Sequence, residues 1–219
     1  MRKALIFGAT GLTGSELLKL LGQVNYYDEI TCFVRKEIST AGGKAKIIVT
    51  DFNDLAAHGI KFKDADIYCC LGTTIKKVNY NKEAFKNVDL YLPLKIAQIA
   101  SDFGANQFLV ISALGANADS RIFYNRVKGE LQEKLTEMNI PIHIFQPSIL
   151  VGERIKPRTG EKISAIVTKG FSFILAGPLK KYRAIKARDV VSAMFKTACL
   201  NKPGYHIYPS DIIKRIADG

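Results

Sequence analysis

The sequence has no tryptophan, three histidines and four cysteines among its 219 residues. Cys32, Cys69, Cys70 and Cys199 show no C-x-x-C spacing, and His58, His143 and His206 are scattered. This argues against a zinc site and against a disulfide framework, so no metal is expected. Cys69 and Cys70 lie together inside an apolar run and read as buried, reduced thiols. No apolar run reaches the roughly 18 residues that a membrane-spanning helix needs. Arg2 and Lys3 ahead of ALIF superficially resemble the start of a signal peptide. That run is short, is broken by glycine and threonine, and has no small-residue cleavage site. A cytoplasmic protein is the expectation.

Acidic residues are also scarce. Twenty Asp+Glu stand against 32 Lys+Arg, a net charge of +12. The imbalance is concentrated between positions 153 and 188, where ten basic residues are opposed only by Glu153 and Glu161. No aromatic interleaving and no helix-turn-helix pattern accompanies them, so specific nucleic-acid readout is not supported. The stretch reads as a solvated face, as part of a cleft for an anionic small-molecule substrate, or as a surface for an anionic polymer or membrane. Hydrophobic residues at 47% and charged ones at 24% are ordinary globular usage, which argues against disorder.

What is present alternates. KALIF (3–7), ITCFV (30–34), AKIIV (45–49), DIYCCL (66–71), QFLVIS (107–112) and IHIFQ (142–146) read as strands. Helical patterns fall between them at 15–21, 81–103 and 124–138, with Val88, Leu92, Ile96 and Ile99 at helical spacing in the long one. Repeated β-α-β order with continuous apolar strands predicts an α/β doubly wound, mostly parallel sheet, a Rossmann fold. A single domain over 1–219 is expected, with a nucleotide-binding core at 1–152 and a small substrate-side region at 153–219. The latter carries a helix near 188–200, a strand at 205–209 and a terminal helix. Phe171, Phe173 and Ile174 read as packing of a covering helix or as a pocket wall.

GATGLTG (8–14) sits where the first strand turns into the first helix, the position at which such a sheet binds a dinucleotide. Gly8 permits the tight turn, Gly11 lets the backbone approach a pyrophosphate, and Gly14 lets the helix pack closely on the strand. Thr10, Leu12 and Thr13 complete the loop, and N–H groups at the helix start face the anion. The alternative is a glycine-rich turn without a ligand. The second strand ends in Arg35 and Lys36 rather than in an acid. A cationic pair there suits the 2′-phosphate of NADP (NADPH) rather than NAD, the alternative being two solvated charges. Asp51, next to Phe52, is placed either to meet the adenine or to cap the following helix.

Ser112 lies at a strand end, and Tyr124 and Lys128 share a helical face at spacing four. An ammonium beside a phenol favours phenolate, so Lys128 is expected to lower the pKa of Tyr124. Such a tyrosine exchanges a proton with a carbonyl or alcohol oxygen, while a serine hydroxyl polarises that oxygen. Tyr91 with Lys95 and Tyr182 with Lys186 show the same spacing, but only Tyr124 follows a parallel strand ending in serine. His143 and His206, in apolar strands, read as core residues.

GATGLTG, Asp51-Phe52, CCLGTT (69–74), Ser112, YNRVK (124–128) and QPSILVG (146–152) together resemble the short-chain dehydrogenase/reductase superfamily. The combination is most similar to its atypical, Tat-interacting-protein-like NADPH-binding branch. The resemblance implies that Gly8, Gly11, Thr13 and Gly14 hold the pyrophosphate and that Arg35 and Lys36 hold the 2′-phosphate. It implies that Leu71, Gly72 and Thr73 line the path from ribose to nicotinamide, and that Asn87 is a structural or catalytic asparagine. Ser112, Tyr124 and Lys128 form the implied catalytic set, with Lys128 also reaching the nicotinamide ribose. Pro147, Ser148 and Ile149 shelter the nicotinamide. The expected activity is an NADP-dependent oxidoreductase, the alternative an NADPH-binding regulator or scaffold. Sugar epimerisation is disfavoured by the short C-terminal region. The 81–103 and 124–138 helices are candidate homodimer faces by analogy.

Overall fold

The computed structural model describes residues 1–38, 44–152 and 182–219. Strand β1 (Lys3–Phe7) leads through helix α1 (Leu12–Gln23) into β2 (Glu29–Val34), β3 (Ala45–Val49) and β4 (Ala65–Cys69). A long helical segment follows as α2 (Lys82–Lys86), one π-helical turn (Asn87–Tyr91) and α3 (Leu92–Asp102). Then come β5 (Gln107–Ile111), α4 (Phe123–Leu135), β6 (Ile142–Gln146) and β7 (Leu150–Val151). The C-terminal part contains β8 (Ile185–Lys186), α5 (Ala187–Leu200), β9 (Tyr205–Pro209) and α6 (Ser210–Asp218).

Seven strands form one sheet in the order β3-β2-β1-β4-β5-β6-β9, and every neighbouring pair is parallel. The central strands are near-continuous Val, Ile, Leu and Phe because both of their faces are buried. Side chains alternate across the pleat. Leu5, Phe7, Phe33, Ile67, Phe108 and Ile144 belong to one core with Leu90, Ile96, Val127 and Leu131 of the long helical segment and α4. Ala4, Ile6, Ile30, Cys32, Tyr68 and Phe145 belong to the other core with Leu17 and Leu21 of α1 and Val190 and Met194 of α5. The doubly wound architecture expected from the alternating pattern is the one observed.

Two features position the site. The strand order runs outward from β1 to β2 and β3 and then reverses to β4, opening a crevice at the C-terminal ends of β1 and β4. The second feature is the π turn. Pro93 has no N–H to give to the carbonyl four residues back, and the backbone widens in the turn before it. The turn contains Asp89, an acid only 1% exposed in the middle of an apolar helix face. Most of the basic 153–188 stretch, and Phe171, Phe173 and Ile174, lie outside the described residues.

Candidate active site

The glycine loop fills the mouth of the crevice. Gly8 has φ +88°, and a Cβ there would sit 2.6 Å from the Cys70 carbonyl oxygen at the end of β4. A Cβ on Gly14 would lie 2.1 Å from the Gly8 oxygen. These two glycines are demanded by the protein's own packing. Gly11 differs: its Cβ would meet the Gly8 oxygen at 3.3 Å and otherwise approach nothing closer than 4.0 Å. Gly11 caps α1 without a side-chain hydrogen bond, and the first turn carries no acid. The positive end of the helix therefore stays open to an anion. Thr10 is exposed, while Thr13 is buried beneath the loop.

Arg35 and Lys36 follow directly on β2 and are exposed. Asp51 does not cap the next helical turn, whose N-cap is Asp54. Its carboxylate instead accepts from the Asn53 backbone N–H at 2.9 Å and from Asn53 Nδ2 at 2.8 Å. Phe52 is 7% exposed with φ +70°, and its ring packs 6.4 Å from that of Phe7. The Phe52 side chain is thus part of the core, and its backbone carbonyl accepts from Lys95 Nζ at 3.0 Å.

Beyond β4, Leu71, Gly72 and Thr73 form the opposite lip, and they rest on Asp89. The Thr73 N–H donates to Asp89 Oδ2 at 2.8 Å, and Lys128 Nζ lies 2.8 Å from Asp89 Oδ1. The lysine and aspartate side chains are 4% and 1% exposed. Burial works against the Lys128 ammonium, but the carboxylate more than offsets it and the pKa is raised. Tyr124, one turn earlier on α4, is 40% exposed and packs edge-on against Phe85 at 5.9 Å. Its pKa is raised, first by burial, with Lys128 lowering it and Asp89 raising it. The expected lowering is corrected: burial outweighs the opposing effect of the Lys128 ammonium, and Asp89 adds to the rise. Cys69, beneath this cluster, is pushed up to about 12 by burial, the state of an inert structural thiol.

Ser112 is 4% exposed, and its Oγ accepts from Gln132 Nε2 at 2.5 Å. Gln132 Oε1 in turn accepts from Gln146 Nε2 at 3.0 Å. The hydroxyl oxygen is thus held at the sheet–helix junction as an acceptor. Asn87 is exposed, whereas Asp89, two residues on, is buried against Lys128 and the Thr73 N–H. Sequence reading missed Asp89, because the π turn brings it inward in place of Val88. It also missed Gly129, whose Cβ would strike Asn117 and Ala118 backbone atoms at 2.1 Å. That contact seats the loop after Ser112 on α4, beside Lys128. Pro147 accepts from the Leu114 N–H at 3.0 Å, Ser148 hydrogen-bonds the Arg183 carbonyl, and Ile149 is 65% exposed. A Cβ on Gly152 would lie 3.0 Å from Leu12, so this segment runs back to the glycine loop.

Comparison with known proteins adds to this geometry. Rat protein HTATIP2 is 34% identical over 166 residues, covering 73% of this chain and 67% of that protein. This chain belongs to the HTATIP2-like, atypical branch of the short-chain dehydrogenases/reductases. Mitochondrial FMP52 of Meyerozyma guilliermondii is 30% identical over 154 residues, covering 69% of this chain and 66% of the relative. Mitochondrial FMP52-2 of Scheffersomyces stipitis is 32% identical over 161 residues, covering 71% and 69%. The chain spans about two thirds of the length of these relatives. No family model matches it.

The expected cytoplasmic location is contradicted by the FMP52 relatives, which are named as mitochondrial. Reduced thiols and the lack of a long apolar helix among the described residues do not distinguish the two compartments. Among solved structures, MoeE5 in complex with UDP-glucuronic acid and NAD superposes with TM-score 0.68 at 14% identity, covering 94% of this chain and 75% of that one. UDP-N-acetylglucosamine 4-epimerase from Methanobrevibacter ruminantium M1, in complex with UDP-N-acetylmuramic acid, gives 0.69 at 13% identity, covering 94% and 76%. At these identities the likeness is one of fold.

Proposed function

We propose that this protein is an NADP-dependent oxidoreductase that acts on a carbonyl or alcohol group of a small anionic molecule. The observation that carries this reading is the Tyr124–Lys128–Asp89 cluster beside the crevice that the glycine loop borders. The residues present fit a dinucleotide. Gly11 keeps free the space that a side chain would fill, α1 has no side-chain cap, and Arg35 and Lys36 stand exposed where a 2′-phosphate would lie. Leu71 to Thr73 and Pro147 to Ile149 would flank the nicotinamide, which supplies the hydride chemistry when bound. The reading takes 1–152 as the nucleotide-binding core and 153–219 as the substrate side of one domain.

Tyr124 is the proton-exchanging group in this scheme. With its pKa raised, the phenol is protonated at neutral pH, which suits donation to a carbonyl oxygen undergoing reduction. The Lys128 ammonium stabilises the phenolate that remains after the transfer. Ser112 anchors the floor through Gln132 rather than touching substrate. The anionic character of the substrate is supported by Arg183 and Lys186, which line a cleft of about 360 Å³ in which Arg188 and Lys214 pair with Asp189. Ser148 ties this cleft to the nicotinamide side through the Arg183 carbonyl and Ser210 Oγ.

The deciding experiment is a titration with NADPH and with NADH, followed by a carbonyl-reduction screen. NADPH is expected to bind more tightly, and Arg35→Ala/Lys36→Ala to weaken it roughly tenfold to hundredfold while sparing NADH. Tyr124→Phe should lower turnover at least about a hundredfold with NADPH binding retained. Binding of neither nucleotide sinks the reading, and turnover unchanged in Tyr124→Phe sinks the proton role. The burial of Ser112, 4% exposed, favours a second reading, an NADPH-binding regulator. Tight NADPH binding with no turnover across a broad carbonyl panel would select it.

A further inference from the structure

Asp89 touches both halves of the proposed site and belongs to neither motif. One carboxylate oxygen accepts the Thr73 N–H of the lip beyond β4, and the other meets Lys128. A Cβ on Gly72 would stand 3.6 Å from the second oxygen, so the lip passes directly over the carboxylate. The residue is 1% exposed, and it is offered from a π turn, a distortion that recurs at functional sites. The acid is placed in the same way from all sides. Lys128 and Tyr124 face the cluster from α4, and Cys69 faces Lys128 from β4. A buried ion pair contributes little net stability over an apolar pair of the same volume, so stability alone gives no account of this one.

We propose that Asp89 is the positioning residue of this site, fixing the Lys128 ammonium and the 71–73 lip to one buried carboxylate so that the nucleotide wall and the proton-exchanging tyrosine share a single reference point. The proposal rests on the oxidoreductase reading for its purpose, but not for its physics. The Asp89 carboxylate raises the Tyr124 pKa by its own negative charge, and removing that charge lifts the opposition to a phenolate. The phenol then ionises more readily.

Ultraviolet titration of tyrosinate, taken as the difference between each protein and its own Tyr124→Phe version, isolates Tyr124 without nucleotide or substrate. In Asp89→Asn the midpoint should fall by about one pH unit or more, a tenfold change in the ionisation constant, and Asp89→Glu should restore it in part. NADPH affinity should fall several-fold in Asp89→Ala, where the Thr73 N–H also loses its acceptor, and less in Asp89→Asn. An unmoved midpoint in folded Asp89→Asn overturns the proposal. Should that variant not fold, Lys128→Met and Asp89→Asn/Lys128→Met replace it. The midpoint is then expected higher in the single variant, where the carboxylate faces Tyr124 uncompensated, and equal midpoints overturn the proposal. Failure of the wild type to bind NADPH, with the midpoint shift intact, sinks the oxidoreductase reading and leaves the coupling standing.

Discussion

One methyl group separates the two jobs that glycine does in the first loop. At Gly14 it would press on the Gly8 carbonyl at 2.1 Å, with backbone on both sides and no flexible end to give way. Gly14→Ala should cost about 1–3 kcal/mol or more and lower the melting temperature by several degrees. Gly11→Ala meets only a 3.3 Å contact and should melt near the wild-type temperature. NADPH binding should nonetheless weaken at least about tenfold, because the added methyl occupies the space proposed for phosphate. Paired melting curves and nucleotide titrations test both statements, and equal melting of the two variants would contradict the packing argument. The position of the loop between strand and helix already suggests separate roles for the three glycines. The distances show Gly8 and Gly14 demanded by the fold, and they leave Gly11 as the position whose side chain the packing does not exclude.

Among elements, α4 connects the layers. Its face carries Tyr124, Lys128 and Gln132 in successive turns, and Gln132 joins β5 through Ser112 and β6 through Gln146. The Tyr205 hydroxyl of β9 donates to the Gln132 carbonyl at 3.0 Å, bringing a third strand to the same point. Gln132→Leu should leave the Ser112 hydroxyl and the Gln146 amide without that partner and destabilise the protein by about 1–3 kcal/mol. Chemical unfolding measures the loss, and NADPH affinity should hold within about twofold if the network is a scaffold. Strands and helices were legible because parallel strands buried on both faces read as apolar runs and surface helices read by their stripe. The stripe also explains the principal miss. Val88 and Leu92 lie in phase with Ile96 on a regular helix, but the π turn shifts the inward positions by one, to Asp89 and Pro93. Periodicity assumes a constant number of residues per turn, and it fails where the backbone widens. The reach of Gln132 to Ser112 spans two elements and leaves no local pattern.

At the scale of the whole molecule, stability should depend on pH through a site far from the proposed chemistry. His143 is fully buried in β6, with Nδ1 3.1 Å from the Tyr208 hydroxyl. Burial, followed by His206 stacked 5.3 Å away, lowers its pKa from 6.5 to about 4. Between those values the unfolded chain binds a proton that the folded one refuses, so stability rises with pH. The contribution is complete above pH 6.5 and drains away as the pH falls towards 4, an order of about 2 kcal/mol between pH 7 and pH 5. Urea midpoints at those two pH values should differ accordingly, and His143→Gln should flatten the difference. The winding of the sheet has another consequence, for how the chain is made. Helix α1 and strands β1 and β2 are synthesised first, yet the core they share with Tyr68 and Phe145 is closed by Val190, Val191 and Met194 of α5. A polypeptide growing from its N-terminus therefore carries one bare oily flank through most of its own synthesis. The final helix pair is the moment at which it becomes safe to let go.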